Sequence, residues 1–182
     1  MSRRTRELST MRHKGFTLVE LMATIAVAAL VLALAAPSFA SLIQANRLTA
    51  AANEMVALLQ SAKSASLSQR SIVDVCPSVD GTTCVSQVGN RWVAVMDKDG
   101  VKTVLRDTTI ANAITIKTSA AVQSASNRLR FNSDGFGRVA GRIGFCSATL
   151  SGSNAIDVAS GVGRVSTERR DATSACTAPQ DL

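Results

Sequence analysis

Gly15-Phe16-Thr17-Leu18-Val19-Glu20 opens an apolar run that continues to Phe39, and from Leu21 to Ala36 the only polar side chain is Thr24. The Ala, Leu, Val and Ile of that run, without an internal Pro or Gly before Pro37, predict a helix. At about 1.5 Å per residue, Phe16 to Phe39 makes a rod of roughly 35 Å, enough to cross a bilayer core of about 30 Å. Glu20 sits near its start, where an ionised side chain within a membrane span costs a few kcal/mol unless paired. Four residues from Phe16, it occupies the same face of the predicted helix.

Pro37 removes one backbone donor and is expected to bend or loosen the helix rather than end it. The helical pattern resumes beyond it: Leu48, Ala52, Met55, Val56, Leu59 and Ala62 recur at three- and four-residue steps, and no Pro or Gly occurs from Ser38 to Gln69. This second half is amphipathic, with Arg47, Glu54 and Lys63 expected in water and the apolar stripe on a sheet.

After Arg70 the texture changes to short β-branched runs between turn residues. Strands are predicted at Ile72–Val75, Arg91–Met96, Val101–Leu105, Ile114–Lys117, Leu129–Phe131, Arg142–Cys146, Ala155–Val158 and Gly163–Ser166. Asp97-Lys98-Asp99-Gly100 reads as a hairpin turn between the second and third. The fold class is α+β, a long N-terminal α-helix packed on an antiparallel β-sheet.

The chain has 182 residues and a formal charge of +7, and Arg3, Arg4, Arg6, Arg12 and Lys14 against Glu7 put most of that charge ahead of Phe16. Positive charge on one flank of an apolar span reports topology, with the remainder outside the cytoplasm, rather than a strongly basic nucleic-acid binder. An ordinary secretory signal cut near Ala35 or Ala40 is disfavoured: Glu20 stands at the entrance of the apolar core, and the helical pattern runs past either cut.

The segment from Gly15 to Leu21, behind a short basic leader and ahead of the apolar span and Pro37, resembles the type IV pilin family, which includes the pseudopilins of type II secretion. The resemblance implies cleavage after Gly15 by a prepilin peptidase, N-methylation of Phe16, and a helix that packs filaments. It also implies that Glu20 pairs with the Phe16 amine of a neighbouring subunit and sets register. Arg91-Trp92-Val93-Ala94-Val95, Asp97 to Gly100, Val104-Leu105-Arg106 and Leu129 to Gly135 resemble the narrower GspH/FimT type of minor pilins and pseudopilins. The implied organisation is a leader over 1–15, a transmembrane and assembly half-helix over 16–39, an amphipathic half over 40–70 and a β-rich extracytoplasmic domain over 71–182. The implied location is the inner membrane, single-pass with the C-terminal domain in the periplasm, and then the pilus filament. Expected partners are other minor and major pilins or pseudopilins, the prepilin peptidase and the inner membrane.

Cys76, Cys84, Cys146 and Cys176 all lie beyond the span, an even count consistent with an oxidising compartment. Three pairings are open. The favoured one joins Cys76 to Cys84, around Pro77 and Gly81, and Cys146 to Cys176, tying the tail to the sheet. No C-x-x-C pair supports zinc, and Asp97 to Gly100 lacks the remaining ligands of a calcium loop. The only histidine, His13, lies in the leader, so no Ser-His or Cys-His pair forms in the mature chain. Neither catalysis, a metal nor a cofactor is expected. Gly135-Phe136-Gly137-Arg138 and Gly141-Arg142-Ile143-Gly144 match no phosphate loop and are read as turns and a close strand crossing.

From Arg128 onward every basic residue is arginine, the side chain suited to bidentate phosphate contacts. Some GspH/FimT-type proteins resemble DNA receptors with a Gly-Arg-any-Arg motif near the C-terminus. Gly163-Arg164-Val165-Ser166 matches it except for Ser166, with Arg169 and Arg170 close behind. Arg164, Arg169 and Arg170 are therefore the DNA-binding candidates, and DNA is the further partner they imply. Asp157, Glu168, Asp171 and Asp181 dilute that positive field, and the chain lacks tyrosine for base stacking.

Overall fold

The computed structural model describes residues 15–182. Residues 1–14, which hold His13 and the basic residues of the expected leader, lie outside the described residues. The chain divides into two compact units, Met1–Phe39 and Ala40–Leu182.

Helix α1 runs over Leu18–Gln69. It starts two residues later than the apolar run, for a local reason. Glu20 N donates to Thr17 Oγ1 at 3.2 Å and Leu21 N to Thr17 O at 3.1 Å, so Thr17 is the N-cap and Phe16 lies just outside the helix. The chain remains helical through Pro37, although the proline lacks the N–H that would reach back to Ala33. In the first half, Phe16, Leu18, Val19, Leu21, Met22, Ile25 and Leu30 are exposed, and α1 is long and apolar enough there to cross a membrane. The helix closes at Arg70, whose φ of 48° is left-handed. Ser71 N then donates to Ser66 O at 3.2 Å, the six-residue closure of a Schellman ending.

The rest of the second unit comprises β1 (Ile72–Pro77), β2 (Arg91–Lys98), β3 (Val101–Thr109), β4 (Thr115–Thr118), a short helix α2 (Ala120–Ser124), β5 (Leu129–Phe131), β6 (Gly141–Cys146), β7 (Ala155–Ser160) and β8 (Val165–Arg170). The expected antiparallel sheet is present as two four-stranded sheets, β3-β2-β1-β5 and β4-β6-β7-β8. Sheet membership is a long-range choice that strand pattern does not carry: β4 leaves its sequence neighbour β3 for β6, and β5 returns to β1. The helix α2 between them was not among the expected elements.

Lys98 pairs with Val101 across Asp99 and Gly100, whose φ values of 54° and 82° make a two-residue turn with both central residues left-handed. Further along, Ala94 faces Arg106 while Val95 faces Val104, so Leu105 bulges. The last strand is displaced from the expected Gly163–Ser166 to Val165–Arg170. It is an edge strand exposed over most of its length, so it carries no apolar alternation to mark it.

The second half of α1 buries Leu48, Ala51, Ala52, Met55, Leu58, Leu59 and Ala62 in one cluster with Val73, Val75, Trp92, Leu129, Phe131, Ile143, Phe145 and Val158 from the two sheets. Arg47 and Glu54 are exposed, whereas Lys63 is half-buried and donates to Gly163 O in the β7–β8 turn. Val56, expected in the stripe, is only partly buried.

Each sheet also has apolar side chains on the face away from that core. Cys76, Val93 and Val95 are buried together with Cys84 packed on them, and the Cys76–Cys84 disulfide holds the intervening loop there. On the other sheet Cys146, Ala155, Ala172 and Cys176 form a second small cluster, closed by the Cys146–Cys176 disulfide. The two bridges thus fasten a loop and the C-terminal tail as covers, each over one sheet.

Gly141 and Gly144 lie inside β6 rather than in turns. A Cβ on Gly141 would come 2.5 Å from Val122 Cγ2, so its absence lets α2 sit on the strand. One on Gly144 would come 2.9 Å from Asp157 Oδ1 and 3.1 Å from Pro179 Cδ, so its absence admits the tail.

Candidate functional site

Phe16 and Glu20 stand at the head of α1. With Thr17 as N-cap, Glu20 is the third helical residue, and Thr17-Leu18-Val19-Glu20 has the spacing of a capping box. The positive end of the helix dipole favours a carboxylate at this position. That signal was readable in the sequence and went unused there. Because Phe16 precedes the first helical residue, its relation to Glu20 is set by the cap and not by helical periodicity. The Glu20 side chain is exposed and makes no ion pair among the described residues, and Phe16 is 78% exposed. A few residues on, Thr24 satisfies its hydroxyl internally, donating to Leu21 O at 2.8 Å.

The three arginines expected to meet DNA are not equivalent. Arg164 is exposed in the turn before β8. Arg169 is exposed and its Nη2 lies 3.4 Å from Thr49 Oγ1 on α1. Arg170 is committed: Nε donates to Asp157 Oδ2 at 2.7 Å and Nη2 to Asp157 Oδ1 at 3.2 Å, while Nη1 and Nη2 reach Thr177 Oγ1 and Thr177 O at 3.1 Å. Unlike Arg164 and Arg169, Arg170 thus neutralises a buried carboxylate and holds the tail. Of the acids expected to dilute the field, Asp157 is buried and Glu168 lies 3.3 Å from Arg142 Nη2.

A second cationic region lies along β5. Leu129 and Phe131 turn inward and are buried, so Arg128 and Arg130 face outward by alternation. Both reach Asp74: Arg130 Nε and Nη2 donate at 2.7 and 2.8 Å, and Arg128 Nη1 at 3.3 Å. Asp74 raises the affinity of the Arg130 guanidinium for its proton chiefly through the side-chain hydrogen bond. Two clefts flank the pair, one of about 490 Å³ shared with Arg138 and one of about 220 Å³ shared with Lys102 and Asp97.

The Cys76–Cys84 loop has its own anchor in Asp80, which the sequence reading missed. Its carboxylate accepts from Thr82 N, Thr83 N and Thr83 Oγ1 at 2.8 Å each and from Ser78 Oγ at 3.0 Å. The Thr83 amide, then the Thr82 amide, hold its proton affinity well below the usual carboxylate range. Among the described residues no group of three or more His, Cys, Asp or Glu side chains is arranged to hold a metal ion.

Two family models match the chain: "Type II transport protein GspH" over residues 51–162 and "Prokaryotic N-terminal methylation motif" over residues 10–36. No curated protein sequence matches it closely. Among solved structures, the type IV minor pilin FimU of Pseudomonas aeruginosa (strain PAO1) is similar in two crystal forms. One has a TM-score of 0.52 at 23% identity, covering 68% of this chain and 89% of that one. The other has a TM-score of 0.50 at 22% identity, covering 66% and 92%. At such identity the likeness is one of fold. The GspH model, however, spans more than half of the sequence, and with the methylation motif at the head of an apolar helix and the two-sheet domain behind it, the chain belongs to the GspH family of minor type IV pilins and pseudopilins.

Proposed function

We propose that this chain is a minor pilin that takes part in type IV pilus assembly within a priming or tip complex. The supporting observation is the head of α1: a Thr17-capped apolar helix with exposed side chains and an unpaired Glu20 among the described residues. Such a helix needs cover on all sides. Lipid tails cover it in the inner membrane, with the domain in the periplasm, and helices of partner pilins cover it in the filament. Cleavage after Gly15 creates an amine on Phe16, which becomes N-methylated. Glu20 of one subunit then pairs with that amine on its neighbour, removing the cost of an unpaired charge and selecting one axial register. Pro37, with its missing hydrogen bond, is where the helix bends to pack.

The test is Glu20→Gln in the full chain. Membrane insertion and N-terminal processing should persist, read as an N-methylated Phe16 by mass spectrometry, while the subunit disappears from sheared filaments. A mature N-terminus near residue 36 or 41 would remove the helix from the mature protein and with it the reading.

The description of the matching model favours a second reading, a minor pseudopilin of type II secretion. Gene deletion separates the two: loss of twitching supports the pilus, and loss of secretion alone supports the pseudopilin. Loss of transformation alone would point to the DNA reading, for which Arg164 and Arg169 remain the exposed candidates.

A further inference from the structure

The return segment after β5 folds back along the edge of its sheet. Phe131 bridges Gly137, Arg138 N donates to Arg130 O at 2.9 Å, and Asn132 N to Phe136 O at 3.0 Å. Phe131 points inward, so the alternating positions Arg130, Arg138 and Phe136 share the outward face. Of the aromatic side chains in residues 40–182, Trp92, Phe131 and Phe145 are buried, and Phe136 alone is exposed, at 52%. It is not held there by chance of a loose loop. Asp134 Oδ1 accepts from Phe136 N at 3.0 Å, Gly135 takes a left-handed φ of 75°, and Gly137 N donates to Val162 O at 3.0 Å. The last bond sets Phe136 beside the β7–β8 turn, where Val162 is also exposed.

On the same outward face, Arg138, two residues from Phe136, shares a cleft of about 490 Å³ with Arg128 and Arg130. Arg130 and Arg128 already divide one carboxylate, Asp74. The Arg138 guanidinium is exposed and has no partner among the described residues. An exposed, rigidly presented aromatic beside under-neutralised arginines is the composition of a protein-binding hot spot.

We infer that this face docks an acidic segment of another protein, with a carboxylate entering the cleft toward Arg138 and an apolar side chain covering Phe136 and Val162. Arg130 already donates through two nitrogens to the Asp74 carboxylate, so a guanidinium of this cleft holds a carboxylate in bidentate geometry. A nucleic-acid backbone fits less well: Asp74, Asp97 and Asp134 interrupt the positive track that consecutive phosphates need, whereas a peptide can place isolated carboxylates between them. Addition of a strand is blocked, because the return segment already occupies that edge of β5. The inference goes beyond the assembly reading and does not depend on it.

The experiment uses the full chain in detergent micelles and a short fluorescent peptide of alternating glutamate and leucine, followed by anisotropy. Binding should weaken with salt, and Arg138→Glu and Phe136→Ala should each weaken it about tenfold or more. Lys98→Glu, at the end of β2, should leave it unchanged. Both tested side chains are exposed, and the near-ultraviolet signature of buried Trp92 verifies that each variant is folded. The inference is overturned by an absence of peptide binding, by equal binding of the glutamine analogue, or by insensitivity to both substitutions. It is equally overturned if duplex DNA competes and depends on the same two residues more strongly than the peptide does.

Discussion

Arg170 grips Asp157 through two nitrogens, at 2.7 and 3.2 Å, around a carboxylate whose side chain is only 1% exposed. A charge so placed is tolerable only while its partner is present, so Arg170→Ala should lower unfolding stability by about 3 kcal/mol. Urea denaturation of the full chain in detergent measures it, and a loss below about 1 kcal/mol, the range of surface pairs, would show the pair to be dispensable. Charge reversal here should destabilise the domain through Asp157, so DNA binding should be tested with Arg164→Glu and Arg169→Glu instead.

The two disulfides should differ in worth. Their sequence separations are 8 for Cys76–Cys84 and 30 for Cys146–Cys176. On loop entropy alone these correspond to about 2.5 and about 3.5 kcal/mol. Replacing each pair by serines and comparing thermal unfolding tests the order. A larger loss from the short loop would mean that the cover over Val93 and Val95 contributes more than chain entropy.

Gly144→Ala should destabilise by about 1–3 kcal/mol, because its Cβ must displace either Asp157 or Pro179. The displacement reaches the ion pair, so Arg170→Ala and Gly144→Ala should be non-additive. Additive losses would show that the tail moves aside without disturbing Asp157.

Asp80, whose ordinary value is 3.8, should show no titration near that pH in a carboxyl NMR titration, because the Thr83 and Thr82 amides hold the ionised form. Asp107 shifts in the same sense, chiefly through its hydrogen bond from Arg91. Below the ordinary value the unfolded chain binds a proton that the folded one refuses. The stabilisation from both groups is therefore complete above about pH 4 and is lost as pH falls toward their folded values. Titration of Asp80 near its ordinary value would mean that the loop network is not formed.

Much of the architecture was legible because it is local. The apolar run, the stripe from Leu48 to Ala62, the β-branched runs and Asp99-Gly100 each carry their own periodicity or turn chemistry. Strand β8 escaped because an exposed edge strand has no apolar face to betray it. Helix α2 escaped because five residues offer little more than one turn to read. At the candidate sites, Phe16 and Glu20 were visible as a motif, and the Thr17 cap was readable but overlooked. The separation of Arg170 from Arg164 and Arg169 was not readable, since Asp157 lies thirteen residues away on a neighbouring strand.

Sequence alone determined the presence of an apolar helix headed by Phe16 and Glu20, an amphipathic continuation, and a β-rich region with four cysteines. These follow from side-chain chemistry acting over one or two turns or a single strand. Tertiary structure decided that the strands form two sheets, that each disulfide fastens a cover over one of them, and which arginines stay free. Those outcomes depend on partners distant in sequence, where pairing is chosen by shared burial and charge neutralisation rather than by any pattern within one segment.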